Sequence, residues 1–425
     1  MTEMIDLAMG SLNKVPKLLL EQLVRKKLDA TGVDLPTKAK RALVKHVLEG
    51  RGKTFRWENP NDEDLTASIV LEFTESDIQE AEAAFKRVAD GLPQELDRIT
   101  GEQSERMFND LVEKWTAEHA AQSSETTEFQ QRLEERWGEG LNLLRILLTI
   151  TREIGGERAK KHLGRRGQKA SVRMALLVRL HVRACQVTQE IICLLEGGLA
   201  DGAMARWRTL YEIAVTATMI ADGDEDLADR YVSHQIVEEW RRLEEDLCAA
   251  PNRQLSSAEL RERDFAKTEY DAILAKYGAS FGGLYGWAAH HLKLKKPTFK
   301  NLQEAAGRAG ENPFYKLASV NVHAGTRAIF DRLAGLDRPL PLIAGRSNAG
   351  LETPGGNTAY TLTQITGALV GCPTTLDDVL GMKVILNVRD AIPRAFNAAA
   401  KKLWEDEQAF RAATKTPNNR RKARA

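Results

Sequence analysis

Apolar residues recur at spacings of three and four along most of this chain, and that is the helical period. The clearest run covers residues 128–154, where Phe129, Leu133, Trp137, Leu141, Leu144 and Leu148 mark one face of a long amphipathic helix. Gly155 and Gly156 predict its end. The same pattern over 171–196 and 201–220, broken by Gly197 and Gly198, predicts a helical hairpin central to the fold. Asp224 can cap a helix running to residue 247, and Ser256 with Glu259 forms a capping-box pattern for another ending near Gly278. Further helices are expected over 299–309, 313–333, 359–370 and 375–404.

The first third of the chain reads differently. Leu18, Leu19, Leu20, Leu23, Leu43, Val44 and Val47 mark one or two amphipathic helices in 16–50, separated by a turn-like stretch at 32–36. Ile69, Leu71 and Phe73 alternate over 67–73, the one strand-like run in the chain. Thr74 followed by Asp77 resembles a capping box and opens a helix carrying Ile78, Ala81 and Phe85. Later, the prolines and glycines of 336–357 predict a long irregular loop, a feature that in compact domains accompanies function or disorder. The expected fold class is therefore mainly all-α: a multi-helix bundle around a central hairpin, with a small N-terminal helical region holding at most one short strand or hairpin. The expected divisions are an N-terminal region at 1–127, a bundle at 128–405 and a basic, disordered tail at 406–425.

Composition narrows the function classes by exclusion. A chain of 425 residues can bury a core large enough for an enzyme, and 43% apolar with 28% charged residues is ordinary for a globular protein. The formal net charge of +1 gives no global signal for nucleic acid or membrane. Cys185, Cys193, Cys248 and Cys372 lack both zinc-site pairing and disulfide density, so they read as reduced core thiols of a cytoplasmic protein. No stretch approaches the length of a membrane span, and the first residues lack the basic-then-apolar order of a targeting peptide. His290 and His291 beside Trp287 have no carboxylate or cysteine at ligand spacing, so neither a metal nor a cofactor is expected.

Charge becomes informative locally. Between Arg152 and Arg183 ten basic residues face two glutamates, and Lys160, Lys161, Arg165, Arg166 and Lys169 form the densest part. With Lys293, Lys295, Lys296 and Lys300, and with the basic tail, this connector could track a phosphate backbone; its other reading is a solvated surface.

One run is familiar. Leu194-Leu195-Glu196-Gly197-Gly198-Leu199, followed by Ala205-Arg206-Trp207-Arg208-Thr209-Leu210-Tyr211-Glu212, resembles the domain of unknown function 5677, a mainly bacterial family of helical proteins. Arg136-Trp137-Gly138, Tyr285-Gly286-Trp287-Ala288, and Tyr315 to Ser319 running into Val322-His323-Ala324 fit the same pattern, so the resemblance covers roughly 128–400. The family has no established activity to carry over. Its hairpin and late Ser/His element look similar to the HEPN ribonucleases, helical and metal-independent enzymes of bacterial toxins and phage defence. Their hallmark Arg followed by His after four to six residues has one match here, Arg41 to His46 in the N-terminal helix.

The candidate constellation joins two helix faces. Arg208 and Glu212 are four apart, and Ser319, His323 and Arg327 share that spacing. Metal-independent RNA cleavage needs a base near neutral pKa and a cation on the phosphorane, roles suited to His323 and to Arg208 or Arg327, with Glu212 orienting one of them. The bland reading makes Arg208 and Glu212 an ion pair fixing the hairpin and His323 a satisfied core histidine. His181, in line with Leu177, Ala184, Thr188 and Ile191, reads chiefly as core. Two functions follow. One is an RNA-acting, HEPN-like ribonuclease effector of stress or phage defence. The other is a non-catalytic helical sensor or scaffold, with RNA, a protein or a second copy of the chain as candidate partners.

Overall fold

Helix starts and stops in this computed structural model are set largely by side chains that the sequence places at the caps. It describes residues 15–33, 35–50, 52–57, 70–163, 171–249, 253, 255–323, 325–330, 333, 344–371 and 375–415. Among these every regular element is helical. In order they are α1 (Val15–Ala30), α2 (Thr37–Leu48), α3 (Glu75–Leu163), α4 (Val172–Glu196), α5 (Ala200–Asp222), α6 (Glu225–Ser233), α7 (Gln235–Ala249), α8 (Ser257–Tyr277), α9 (Ala289–Leu292), α10 (Phe299–Ala305), α11 (Asn312–Val320), α12 (Thr326–Phe330), α13 (Glu352–Val370) and α14 (Leu376–Lys415). Short 3₁₀ turns intervene at Ala279–Gly282, Gly286–Ala288 and Ala309–Glu311. No described helix is long and apolar enough to cross a membrane.

The chain divides into two compact units, 1–122 and 123–425. In the first, α1 and α2 pack as a hairpin over Leu23, Val24, Leu28, Ala39 and Val44. The Thr74 and Asp77 cap forms as the spacing predicts: the Thr74 amide and hydroxyl both donate to Asp77 Oδ2, at 2.8 and 2.7 Å. Lys27 reaches the same carboxylate at 2.6 Å, and its hydrogen bond, reinforced by those from Thr74, holds Asp77 down to about 2. The expected strand does not form where it can be seen: residues 70–73 are irregular, and 67–69 lie outside the described residues.

In the second unit α4 and α5 form the central hairpin, with α13 packed against both and α14 against α13. Ser171 caps α4 by accepting from the Met174 amide, Asp224 caps α6 from Leu227, and Ser256 with Glu259 completes its box on α8. At the hairpin turn Gly198 takes φ +69°, and a Cβ there would lie 2.7 Å from both Phe129 Cζ and the Ser347 carbonyl oxygen. The core runs through Leu141, Leu144, Ile191, Leu195, Leu210, Ala214, Leu362 and Phe396.

Several boundaries differ from the sequence expectation. The helix expected over 128–154 is the later part of α3, which passes through Gly155 and Gly156 and ends at Leu163. Gly155 is there for contact rather than for termination: His181 of α4 presses so closely that a Cβ would come within 2.5 Å of its ring. The expected loop at 336–357 is partly helix, because α13 starts at Glu352 and takes in Pro354, Gly355 and Gly356. Proline is tolerated in a first turn, where its missing N–H would have no partner anyway. Gly355 is required because Phe396 of α14 lies 2.6 Å from where its Cβ would be. The helix expected over 313–333 is broken: α11 ends at Val320 and α12 begins at Thr326. The cysteines are not all core thiols either. Cys185 is buried, Cys193 and Cys248 are exposed, and Cys372 lies outside the described residues.

Candidate functional site

Helix α5 buries Ala203, Trp207, Leu210, Tyr211, Ala214 and Val215 on one side. That packing leaves Arg208 and Glu212, one turn apart, on a flank that α11 partly covers. Arg208 Nε donates to Glu212 Oε1 at 3.0 Å and to the Tyr315 hydroxyl at 3.2 Å. The Tyr315 hydroxyl donates in turn to the same carboxylate oxygen at 2.9 Å. The guanidinium carbon sits 5.0 Å from the centre of the Tyr315 ring. Among the described residues no hydrogen bond reaches either Nη of Arg208, so the outer edge of its fork is open. The side chains of Arg208 and Glu212 are 26% and 41% exposed, which places this edge within reach of a solute.

The electrostatics hold Arg208 and Tyr315 each in one protonation state at neutral pH. Burial opposes the charge on Arg208, but Tyr315 and Glu212 outweigh it and raise its pKa above the ordinary guanidinium value. Burial, then the Glu212 carboxylate, pushes the Tyr315 phenol up to about 12. Tyr285 is raised by burial and by Glu212 as well. Near neutrality the site therefore presents a fixed cation and a neutral hydroxyl.

An aromatic and polar layer supports it. Tyr315 packs against Tyr211 and Phe299, with ring centres 5.4 and 5.0 Å apart. The Tyr211 hydroxyl donates to the Arg308 carbonyl at 3.2 Å and accepts from Gln303 Nε2 at 3.0 Å. Arg308, only 6% exposed, binds Gln364, Glu311 and Thr218 through its two Nη atoms, while its Nε has no partner among the described residues. Burial lowers its pKa despite Glu311.

The other expected residues are dispersed. Ser319 turns its hydroxyl back onto the Tyr315 carbonyl at 2.8 Å. His323 is exposed, in a bend beyond the end of α11. Arg327 belongs to α12, and its side chain lies outside the described part of the structure. The equal spacing of Ser319, His323 and Arg327 thus does not make a helix face, because the helix stops between the first and the second. Lys160 pairs with Glu157 at 2.9 Å, Lys161 is exposed, and Arg165, Arg166 and Lys169 lie outside the described residues. Part of the basic connector serves the fold: Arg158 meets Asp378 at 2.9 Å with both side chains largely buried, and Arg173 donates to the Gly223 carbonyl at the end of α5. Arg41 and His46 share α2, where a His46 ring nitrogen meets the Gly52 carbonyl at 3.1 Å.

Tyr315, Tyr211 and Arg308 were not singled out by spacing. Tyr315 lies four residues before Ser319, the signal that could have found it. Arg308 follows a glycine outside any regular helix, and nothing local marks it.

His181 is core. Its Nε2–H donates to Thr366 Oγ1 at 3.2 Å, because the Thr366 proton is already committed to the Leu362 carbonyl. Nδ1 then accepts from the Cys185 thiol at 3.7 Å. Burial pushes the imidazole down to about 4 and the thiol up to about 11, so the pair is neutral and lacks the thiolate that nucleophilic chemistry requires.

A separate concavity of about 250 Å³ is lined by Leu333, Glu352, Leu403, Trp404, Glu407 and Arg411, none of them part of the Arg208 cluster. Residues 174–338, which carry that cluster, match the model of a family of unknown function, DUF5677. No curated protein and no solved structure matches the chain.

Proposed function

From the premise that residues 174–338 of this chain are a DUF5677 domain, we propose that the domain is a non-catalytic helical module that binds RNA, with Arg208 taking a backbone phosphate. The observation that carries this reading is the open Nη edge of a guanidinium already held by Glu212 and Tyr315. A fork fixed on one side loses little entropy when a planar or tetrahedral oxyanion docks on the other. Glu212 sets the register, and its negative charge keeps the site from holding small anions tightly, so affinity must come from further contacts along the strand. Fluorescence anisotropy with a labelled single-stranded RNA at low salt tests this. Arg208→Ala is expected to weaken binding at least tenfold, and Arg208→Lys, which keeps the charge but loses the fork, by an intermediate factor. Equal affinity for wild type and Arg208→Ala, or no binding by either, overturns it.

A second reading, metal-independent cleavage of the bound RNA in the manner of HEPN enzymes, is favoured by one observation: the solvent-facing imidazole of His323 just beyond the helix that carries Tyr315 and Ser319. It requires that segment to fold back over the phosphate. Cleavage in chelator that leaves 2′,3′-cyclic phosphate ends and is lost in His323→Ala supports it. Intact RNA with both proteins rejects it and leaves the binding reading standing.

A further inference from the structure

Over residues 101–122 every side chain of α3 is exposed. A helix bare on all sides keeps its shape by propensity alone, which is a marginal arrangement in water. Yet Met107, Phe108, Leu111, Val112 and Trp115 occur within it, from 55% to 68% exposed. At 100° per residue these five fall within an arc of about 140°, a single face over little more than two turns. Methionine and large aromatic residues are the types enriched where proteins meet.

We propose that this face is a dimer seam, on which α3 of a second copy of this chain lies antiparallel. The sequence is self-complementary about a twofold axis between Leu111 and Val112. Phe108 and Trp115 are equally far from that axis, so each ring of one copy meets the other ring of its partner. Asp110 and Lys114 stand within one residue of equivalence on one flank of the stripe, and Glu105 and His119 do so on the other. In an antiparallel pair like flanks meet, so Asp110 of one copy comes near Lys114 of the other and Glu105 near His119, twice by symmetry. Within one chain Lys114 stands 3.8 Å from Asp110, an exposed contact that leaves both groups able to turn to a partner. Five half-bare apolar side chains offer roughly 500 Å² per copy, and the doubled area, about 1,000 Å², reaches the lower limit of a specific interface.

The test is the mass of the full chain in solution, by light scattering and sedimentation equilibrium across the micromolar range. Wild type is expected at twice the 47.3 kDa chain mass. Leu111→Asp, a change at an exposed position, is expected to weaken self-association by at least a hundredfold with an unchanged circular dichroism spectrum. Asp110→Lys alone weakens it, and adding Lys114→Asp to the same chain restores it. For the orientation, mixed Phe108→Cys and Trp115→Cys proteins should form the hetero-disulfide. A single-chain mass for wild type throughout the range, a dimer unaffected by Leu111→Asp, or preferential Phe108→Cys homodisulfides would each overturn the proposal.

Discussion

His181 rests directly on Gly155: a Cβ on that glycine would stand 2.5 Å from the Cε1 atom of the ring and 2.6 Å from Nδ1. Two helices therefore approach to a distance that only glycine permits. Gly155→Ala should improve the local helix propensity and still destabilise the protein by about 1–3 kcal/mol, because the buried ring has nowhere to retreat. Urea denaturation of the two proteins decides it. Gly156→Ala, at a position where a Cβ meets nothing within 4 Å, is the matched control and should be neutral or stabilising.

The same histidine gives the fold an acid limit. Its folded pKa, about 4, lies below the ordinary value of 6.5 because burial disfavours the imidazolium. The unfolded chain therefore binds the proton first as pH falls. Stability from this group is complete above about 6.5 and declines between there and about 4, by up to roughly 3 kcal/mol. His181→Gln should be less stable at pH 7.5 but should lose less on going to pH 5; parallel slopes for the two proteins would refute the assignment.

Arg308 is the most deeply buried cation among the described residues. Arg308→Ala leaves Glu311, Gln364 and Thr218 without their shared donor and should cost about 3 kcal/mol. Arg308→Met, which fills the space without the charge, should recover part of that loss. Thermal unfolding is the measurement, and identical losses for the two variants would argue against the buried network.

Arg208 should behave in the opposite way. Its ion pair with Glu212 is partly exposed, so Arg208→Ala should change stability by no more than about 1 kcal/mol. A melting temperature within a few degrees of wild type, together with lost RNA binding, separates recognition from scaffolding. A collapse in stability would make the trio structural.

Much of the architecture was legible because helical period and caps are local properties. The α4–α5 hairpin, the Ser256 and Glu259 box and the Thr74 and Asp77 cap all follow from residues within four positions of one another. Glycine was where reading failed. Gly155, Gly156, Gly355 and Gly356 look like helix stops along the chain, but Gly155 and Gly355 serve neighbours remote in sequence, His181 and Phe396, that no local pattern could announce. At the site, Arg208 and Glu212 were readable as a pair because their contact lies within one helix. Tyr315 and Arg308 were not, because most of their side-chain partners lie from 56 to 107 residues away. The spacing of Ser319, His323 and Arg327 misled for the complementary reason: periodicity carries meaning only while the helix continues, and α11 stops at Val320.

Phe396 has a wider consequence. Its ring stands within 3 Å of the Cβ positions of two glycines on different helices, Gly140 of α3 and Gly355 of α13. Three residues on three helices thus form one unit of substitution. Enlarging either glycine is tolerable only if the ring shrinks, and shrinking the ring alone leaves a void that enlarging the glycines can fill. These positions should drift together or not at all as the sequence diverges.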